Sequence, residues 1–327
     1  MKLEPNIWFD EVVNTYHRIS PYINHTQLVA CPDLNEELNG IFLFKPESLQ
    51  ITGSFKVRGA LSAISRLSKK ELKRGVIAYS SGNHAQGVAH AAKVFNTPAT
   101  VVMPEDAPAR KIANARDLGA EVIFYNRRTE SREQISIEIA KERNLVIINP
   151  YDALATIYGQ GTAAYEVIND ANNPKLDNAI ICAGGGGLTA GSCISIKHIN
   201  PQCNVFTAEP DAWNDHQLSF EKKERVVMDT NRSGLCDGLL TPTPGEIPFA
   251  INTHFGVKGL TASDQAVCQA MRFAFDRLNL KLEPSGAVAL ACLLENKEKF
   301  RNTRTLIMLS GGNVDQKTFS DCLSRTS

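Results

Sequence analysis

Four short segments of this chain hold residue types whose spacing suits chemistry. Thr52-Gly53-Ser54-Phe55-Lys56-Val57-Arg58-Gly59-Ala60 places a lysine at the start of an amphipathic helix, after a glycine turn. Burial there would lower the amine's pKa and free its lone pair for nucleophilic attack. Taken alone, a solvated surface lysine reads the same way. Gly184-Gly185-Gly186-Gly187-Leu188 lies between the apolar run NAIICA and the helical pattern LTAGSCISIKHI. Four residues without side chains let successive N–H groups turn toward an anion beside a helix N-terminus, and phosphate is the natural guest. The loop lacks the Gly-Lys-Ser/Thr ending of a P-loop and the GxGxxG spacing of a dinucleotide site, so the phosphate is not expected to belong to a nucleotide.

The third segment, Ser80-Ser81-Gly82-Asn83-His84-Ala85-Gln86-Gly87, also joins a strand to a helix. Its hydroxyls, amide and N-terminal N–H groups suit a substrate carboxylate and a ring hydroxyl. His84 is either a general base or a packed structural histidine. In Ser310-Gly311-Gly312-Asn313, after the run TLIML, a hydroxyl at a strand end can bond an uncharged heteroaromatic nitrogen.

These segments need a scaffold that brings strand ends together. The chain has 327 residues, 43% of them hydrophobic, a length that suggests two domains. Apolar runs predict strands at Ile41–Lys45, Val76–Ser80, Thr100–Met103, Glu121–Tyr125, Val146–Asn149, Ala179–Cys182, Val205–Ala208 and Thr305–Leu309. Several are continuous and β-branched, as in strands buried on both faces of a parallel sheet. Helical stripes alternate with them: Phe55, Val57, Ala60, Leu61, Ile64 and Leu67, and Val267, Met271, Ala274, Phe275 and Leu278. The expectation is α/β, with two open, doubly wound, mostly parallel sheets and the site between domains. A small domain is expected at 74–150, and a large one from 1–67 with 152–327. The stretch Asp237–Gly256, rich in Pro, Gly and Thr, reads as irregular structure facing the site.

Composition excludes other classes. The 35 basic and 35 acidic residues balance, and the densest charge run, KKELKR at 69–74, reads as a solvated helix end rather than a nucleic-acid surface. No apolar stretch approaches the ~20 residues that span a bilayer. The opening MKLEPNIWFDEV lacks the pattern of a signal peptide, so a cytoplasmic location is expected. Eight scattered cysteines without CxxC spacing read as small buried hydrophobes.

Together and in this order, SFKxRGA, SSGNHxQG, GGGGL and SGGN resemble the fold-type II pyridoxal phosphate (PLP) enzymes. Within them the chain is similar to the serine racemase and serine/threonine dehydratase family, over roughly residues 10–323. The resemblance implies that Lys56 holds PLP as a Schiff base and that Phe55 flanks its ring. It implies that Asn83 meets the ring hydroxyl, that Gly184, Gly185, Gly186, Gly187 and Leu188 cradle the phosphate, and that Ser310 meets the pyridine nitrogen. Gly238 and Glu283 would line the other side of the pocket. Ser80, Ser81, Gly82, Asn83, His84 and Arg132 would surround a small hydroxy-amino-acid substrate.

Lys56 would serve one face of the α-carbon and Ser81 the other, giving a serine racemase with serine/threonine dehydratase activity. If Ser81 is idle, or only binds the carboxylate, the chain is a catabolic threonine or 3-hydroxyaspartate dehydratase. Glu209, the carbonyl of Trp213 and Asp215 match the family's Mg²⁺ (or Ca²⁺/Mn²⁺) ligands. A homodimer is implied by the family alone, ATP is a candidate activator on the same ground, and the family's C-terminal regulatory domain is not expected. Tyr151, Tyr158, Trp213 and His216 depart from the usual pattern.

Overall fold

The computed structural model describes residues 5–80, 82–107, 109–126, 128–170, 175–230 and 232–325. Ten strands lie among them: β1 Val29–Ala30, β2 Ile41–Pro46, β3 Val76–Tyr79, β4 Ala99–Pro104, β5 Glu121–Tyr125, β6 Val146–Ile147, β7 Asn178–Cys182, β8 Asn204–Pro210, β9 Lys258–Ala262 and β10 Arg304–Leu309. They form a six-stranded sheet in the order β1-β2-β10-β7-β8-β9 and a four-stranded sheet in the order β5-β4-β3-β6. Every pairing is parallel except β1 with β2. The central strands β4, β7 and β8 are the continuous apolar runs, with helices covering both faces.

Each sheet is doubly wound, and each reverses direction once. In the large sheet the chain steps from β7 to β8 to β9, and β10 then returns to the other side of β7. In the small sheet it steps from β3 to β4 to β5, and β6 returns beside β3. Ligands bind where strand order reverses, outside the carboxyl ends. The residues after β7 and β10 are the glycine loop and Ser310; those after β3 and β6 are the Ser80–Gly87 segment and Asn149-Pro150. The topology alone brings three of the four segments to two switch points.

Several strand ends differ from expectation by one or two residues. β6 stops at Ile147 because the Asn149 side chain accepts hydrogen bonds from the backbone of Tyr151, at 3.1 Å, and Asp152, at 2.7 Å, and turns the chain. β1 and β9 were not foreseen: the first has two residues, and the second, KGLTA, has no β-branched run. The stretch Asp237–Gly256 is not irregular throughout, since Glu246–His254 forms a helix. Its first two N–H groups are capped by Asp152, 94 and 95 residues earlier, at 3.0 and 2.8 Å. The segment KKELKR is a separate helix, Lys69–Arg74, opened by a Ser68/Glu71 capping box. Phe275 departs from its stripe: it is 46% exposed and edges against Phe319.

The helix Lys56–Ile64 packs between the helices Asn83–Val94 and Leu154–Ile168. The last of these crosses the helix Gly187–Ile199 at Gly161 and Gly191. A Cβ on Gly191 would lie 2.3 Å from the Ile157 carbonyl, so only glycine permits this crossing. The close approach holds the start of the glycine-loop helix against the lysine-bearing layer. Arg58 is fully buried. Its guanidinium grips Glu47 (2.7 and 2.8 Å) and Glu166 (2.7 and 2.9 Å), and Lys45 pairs with Glu166 as well. Burial pushes the Glu47 carboxyl up, but Arg58 beside it more than offsets that and holds it below the usual range.

Candidate active site

One cleft gathers Phe55, Lys56, Ser80, Gly82, Asn83, His84, Arg132, Gly184, Gly185, Gly186, Gly187, Leu188, Gly238, Glu283 and Ser310. Ser81, the candidate opposite-face group, lies outside the described residues. The Lys56 ammonium donates to the Pro150 carbonyl at 2.9 Å and lies 5.2 Å from the centre of the Phe55 ring. Burial lowers its pKa to about 8. At pH 7.5 about a quarter of such amines are neutral, against about a thousandth for an exposed lysine. The structure thus supplies the nucleophile that the sequence could only suggest.

The glycine loop faces this amine. Side chains are excluded by its neighbours: a Cβ on Gly185 would fall 2.2 Å from the Tyr151 ring, and one on Gly187 would lie 2.6 Å from Gln160 Oε1. Gly186 has φ of +87°, a left-handed turn that opens the helix Gly187–Ile199. A bare loop of N–H groups at the start of a 13-residue helix fits a phosphate. Ser310 stands at the end of β10, accepting a hydrogen bond from the Phe55 N–H through its backbone carbonyl at 3.1 Å. Beside its hydroxyl, burial pushes the Cys182 thiol up to about 11, with Ser310 partly offsetting the rise. Neither group carries a charge near neutral pH, so neither favours protonation of a ring nitrogen placed there.

On the facing wall, Asn83 links the two sheets. Its amide donates to Glu283 Oε1 at 2.6 Å, and its oxygen accepts from Asn313 at 2.8 Å. Gly238 N–H is held by the Ser285 hydroxyl at 2.9 Å. The His84 Nε2–H donates to the Ile148 carbonyl at 2.8 Å. Burial, with Lys56 second, lowers its pKa to about 3, so the ring stays neutral and braces β6 against the helix Asn83–Val94. Arg132 opens the helix Arg132–Arg143 at the cleft wall, with its guanidinium 5.8 Å from the Tyr79 ring centre and its Nε 2.8 Å from Glu133.

Reasoning from sequence missed several lining residues, Tyr79, Pro150, Gln160 and Cys182, whereas Leu239 and Thr241 fall in the stretch expected to face the site. Tyr151 was singled out only as a departure, yet its ring forms part of the wall, its hydroxyl pushed up to about 12 by burial. The position of Cys182 just before the glycine loop was the available signal; nothing local marked the others.

Away from the cleft, Glu209 ends β8, and Asp215 begins the helix Asp215–Lys222. Both are buried; Glu209 accepts from the N–H of His216 at 2.7 Å and of Gln217 at 2.9 Å, whereas both Asp215 oxygens have no partner among the described residues. Burial pushes the Glu209 carboxyl well up, with Asp215 second, and burial raises Asp215 to about 8. Two buried carboxyls that raise each other's cost of ionising, with the Asp215 oxygens unpartnered among the described residues, fit a hard cation. No group of three or more His, Cys, Asp or Glu side chains stands together as a metal cluster among the described residues, so a cation would complete its shell with backbone oxygen and water. Trp213 is buried there, its indole N–H directed at the Ser233 carbonyl at 3.4 Å.

Comparisons with known proteins point to one family. A family model described as "Pyridoxal-phosphate dependent enzyme" matches residues 19–311. An L-threo-3-hydroxyaspartate ammonia-lyase of Saccharomyces cerevisiae is 41% identical, over 97% of this chain and 96% of its own length. A serine racemase of Schizosaccharomyces pombe is 38% identical over 97% of each. The crystal structure of a serine racemase from Dictyostelium discoideum superposes with a TM-score of 0.87 at 36% identity, covering 94% of this chain and 98% of the other.

Proposed function

The chain belongs to the pyridoxal-phosphate-dependent enzymes, and on that premise we propose that it racemises serine and dehydrates serine and threonine to 2-oxo acids and ammonia. The observation that carries this reading is the buried Lys56 amine, with a pKa near 8, in one cleft with the glycine loop and Ser310. When bound, the cofactor supplies an electron sink for the bond that breaks at the substrate's α-carbon. The N–H groups of Gly184, Gly185, Gly186 and Gly187 would hold its phosphate, and the Ser310 hydroxyl would meet its ring nitrogen without protonating it. Such a weak sink favours reactions in which the α-proton and a β-hydroxyl leave together. Lys56 moves the α-proton on one face. Ser80, Gly82, Asn83 and the N–H groups at the start of the helix Asn83–Val94 hold the substrate carboxylate.

Racemisation requires a proton carrier on the second face, assigned to Ser81. In deuterated water, L-serine is expected to yield D-serine labelled at the α-carbon, together with pyruvate. Ser81→Ala should abolish the labelled D-serine and leave pyruvate formation within about threefold. If both products survive that change, the two-base assignment is wrong; if the unaltered enzyme makes no D-serine, so is the racemase reading.

A second reading, dehydration of 3-hydroxyaspartate, is favoured by Arg132. A guanidinium on the cleft wall over Tyr79 can take a second carboxylate in a bidentate grip. For this reading Arg132→Met should lower kcat/KM for L-threo-3-hydroxyaspartate by roughly a hundredfold, the ~2.7 kcal/mol of a charged hydrogen-bonded contact. Turnover of serine should change by less than about threefold. Equal losses on both substrates would mean that Arg132 only supports the fold.

The Asp215 oxygens, without a partner among the described residues and beside Glu209, support a Mg²⁺ site, with the Trp213 carbonyl as a third ligand. The proposal further takes the two sheets as two domains, 74–150 and 1–67 with 152–327. The reading places the enzyme in the cytoplasm, and a homodimer activated by ATP completes it on the family resemblance alone.

A further inference from the structure

His216 joins two parts of the molecule that the proposed function treats separately. Its backbone N–H donates to Glu209 Oε1 at 2.7 Å, and it directly follows Asp215. Its side chain leaves in the other direction: Nε2–H donates to the Gly184 carbonyl at 2.8 Å. The ring also fills the space beside Gly186, where an added Cβ would lie 2.4 Å from Cε1. His216 is fully buried. Nothing in the glycine loop itself could do this work.

The consequence follows from peptide geometry. The Gly184 carbonyl and the Gly185 N–H belong to one planar trans unit and point in opposite directions. A plane flanked by glycines on both sides can rotate with little steric hindrance. Fixing its carbonyl on His216 therefore aims the Gly185 N–H away from His216. The next plane is fixed similarly, since Gly245 N–H donates to the Gly185 carbonyl at 3.0 Å. Of the two locks, the first is anchored to the acid pair.

We propose that His216 is a positioning residue that couples cation binding at Glu209 and Asp215 to the phosphate grip of the glycine loop. A cation between the two carboxylates immobilises both backbone anchors of His216, and the imidazole passes that order to the Gly184–Gly185 plane. This rests on the reading of Glu209 and Asp215 as a cation site, and the test separates the two.

PLP is titrated into the resolved apoenzyme in Mg²⁺ or in EDTA and followed by the quenching of tryptophan fluorescence; melting temperature is measured in parallel. In the unaltered protein, EDTA is expected to weaken PLP binding about tenfold, while pyridoxal, which has no phosphate, binds equally in both. His216→Ala should bind PLP about tenfold more weakly and lose the dependence on Mg²⁺, although Mg²⁺ still raises its melting temperature. His216→Gln, whose amide N–H can reach the same carbonyl, should recover part of the dependence. Coupling is overturned if Mg²⁺ raises the melting temperature of the unaltered protein without changing its PLP affinity, or if His216→Ala keeps the full dependence. A dependence equally large for pyridoxal overturns the route through the glycine loop. A melting temperature that ignores Mg²⁺ overturns the cation reading, and the coupling with it. Should His216→Ala fail to fold, the unaltered protein and His216→Gln decide.

Discussion

Lys56→Ala is expected to yield a folded, colourless protein that has lost turnover on every amino acid substrate by at least about a thousandfold. The cause is local. The amine is the one group of the cleft that can both attach the cofactor covalently and move the substrate's α-proton, and general acid–base loss alone removes about 10²–10⁴ in rate. Absorption of the lysine-bound cofactor reports the first role, and turnover with added ethylamine reports the second. A yellow Lys56→Ala protein with near-normal turnover would refute the assignment. The same variant carries a pH signature in the apoenzyme. A lysine held near pKa 8 when folded and 10.5 when unfolded is bound to more proton in the unfolded state between those values. Lys56 should therefore add up to about 3 kcal/mol to the stability of the unaltered apoenzyme, relative to Lys56→Ala, as pH increases from 8 toward 10.5. Lys56→Ala should lack that gain, and parallel curves for the two proteins would show that the amine is solvated.

The second large effect lies at the buried ion cluster. Glu166→Gln removes one of two carboxylates facing Arg58 and Lys45, all of them inaccessible to solvent. Two buried cations would then face Glu47 alone. Breaking one partner of such a pair costs about 3–5 kcal/mol, because the remaining charge stays desolvated. Thermal melting should drop by several degrees or more, at about 2–4 °C per kcal/mol for a domain of this size. A change under about 1 °C would mean that water or a shifted side chain compensates Arg58. Lys56 is two residues from Arg58 on the same helix, so residual holoenzyme should also release its cofactor faster. The cluster was not legible in the sequence: Glu47, Arg58 and Glu166 are ordinary surface residue types, and nothing within a helical turn of Arg58 announces its partners.

Other elements divide in the same way. The strands at β3, β4, β7, β8 and β10 were readable because a strand buried on both faces must be apolar along its whole length. The helix Glu246–His254 was not, because its cap is Asp152, far away in the chain. β6 was drawn two residues too long because an Asn side chain competing with the ladder looks, in sequence, like one more strand residue. His216 was noted only as bulk, since its partner Gly184 lies 32 residues earlier.

By itself the sequence determined the chemistry available: a lysine opening a helix, a side-chain-free anion loop, a polar strand end and a hydroxyl for a neutral ring nitrogen. These are local facts, since backbone freedom and helix polarity depend on residues within a turn or two. Tertiary structure alone decided that the four meet. Two reversals of strand order deliver three of the segments, helix packing brings Lys56 to the same cleft, and burial there moves its amine to a pKa near 8. Desolvation is a property of everything packed around a group, and no neighbouring residue in the chain encodes it.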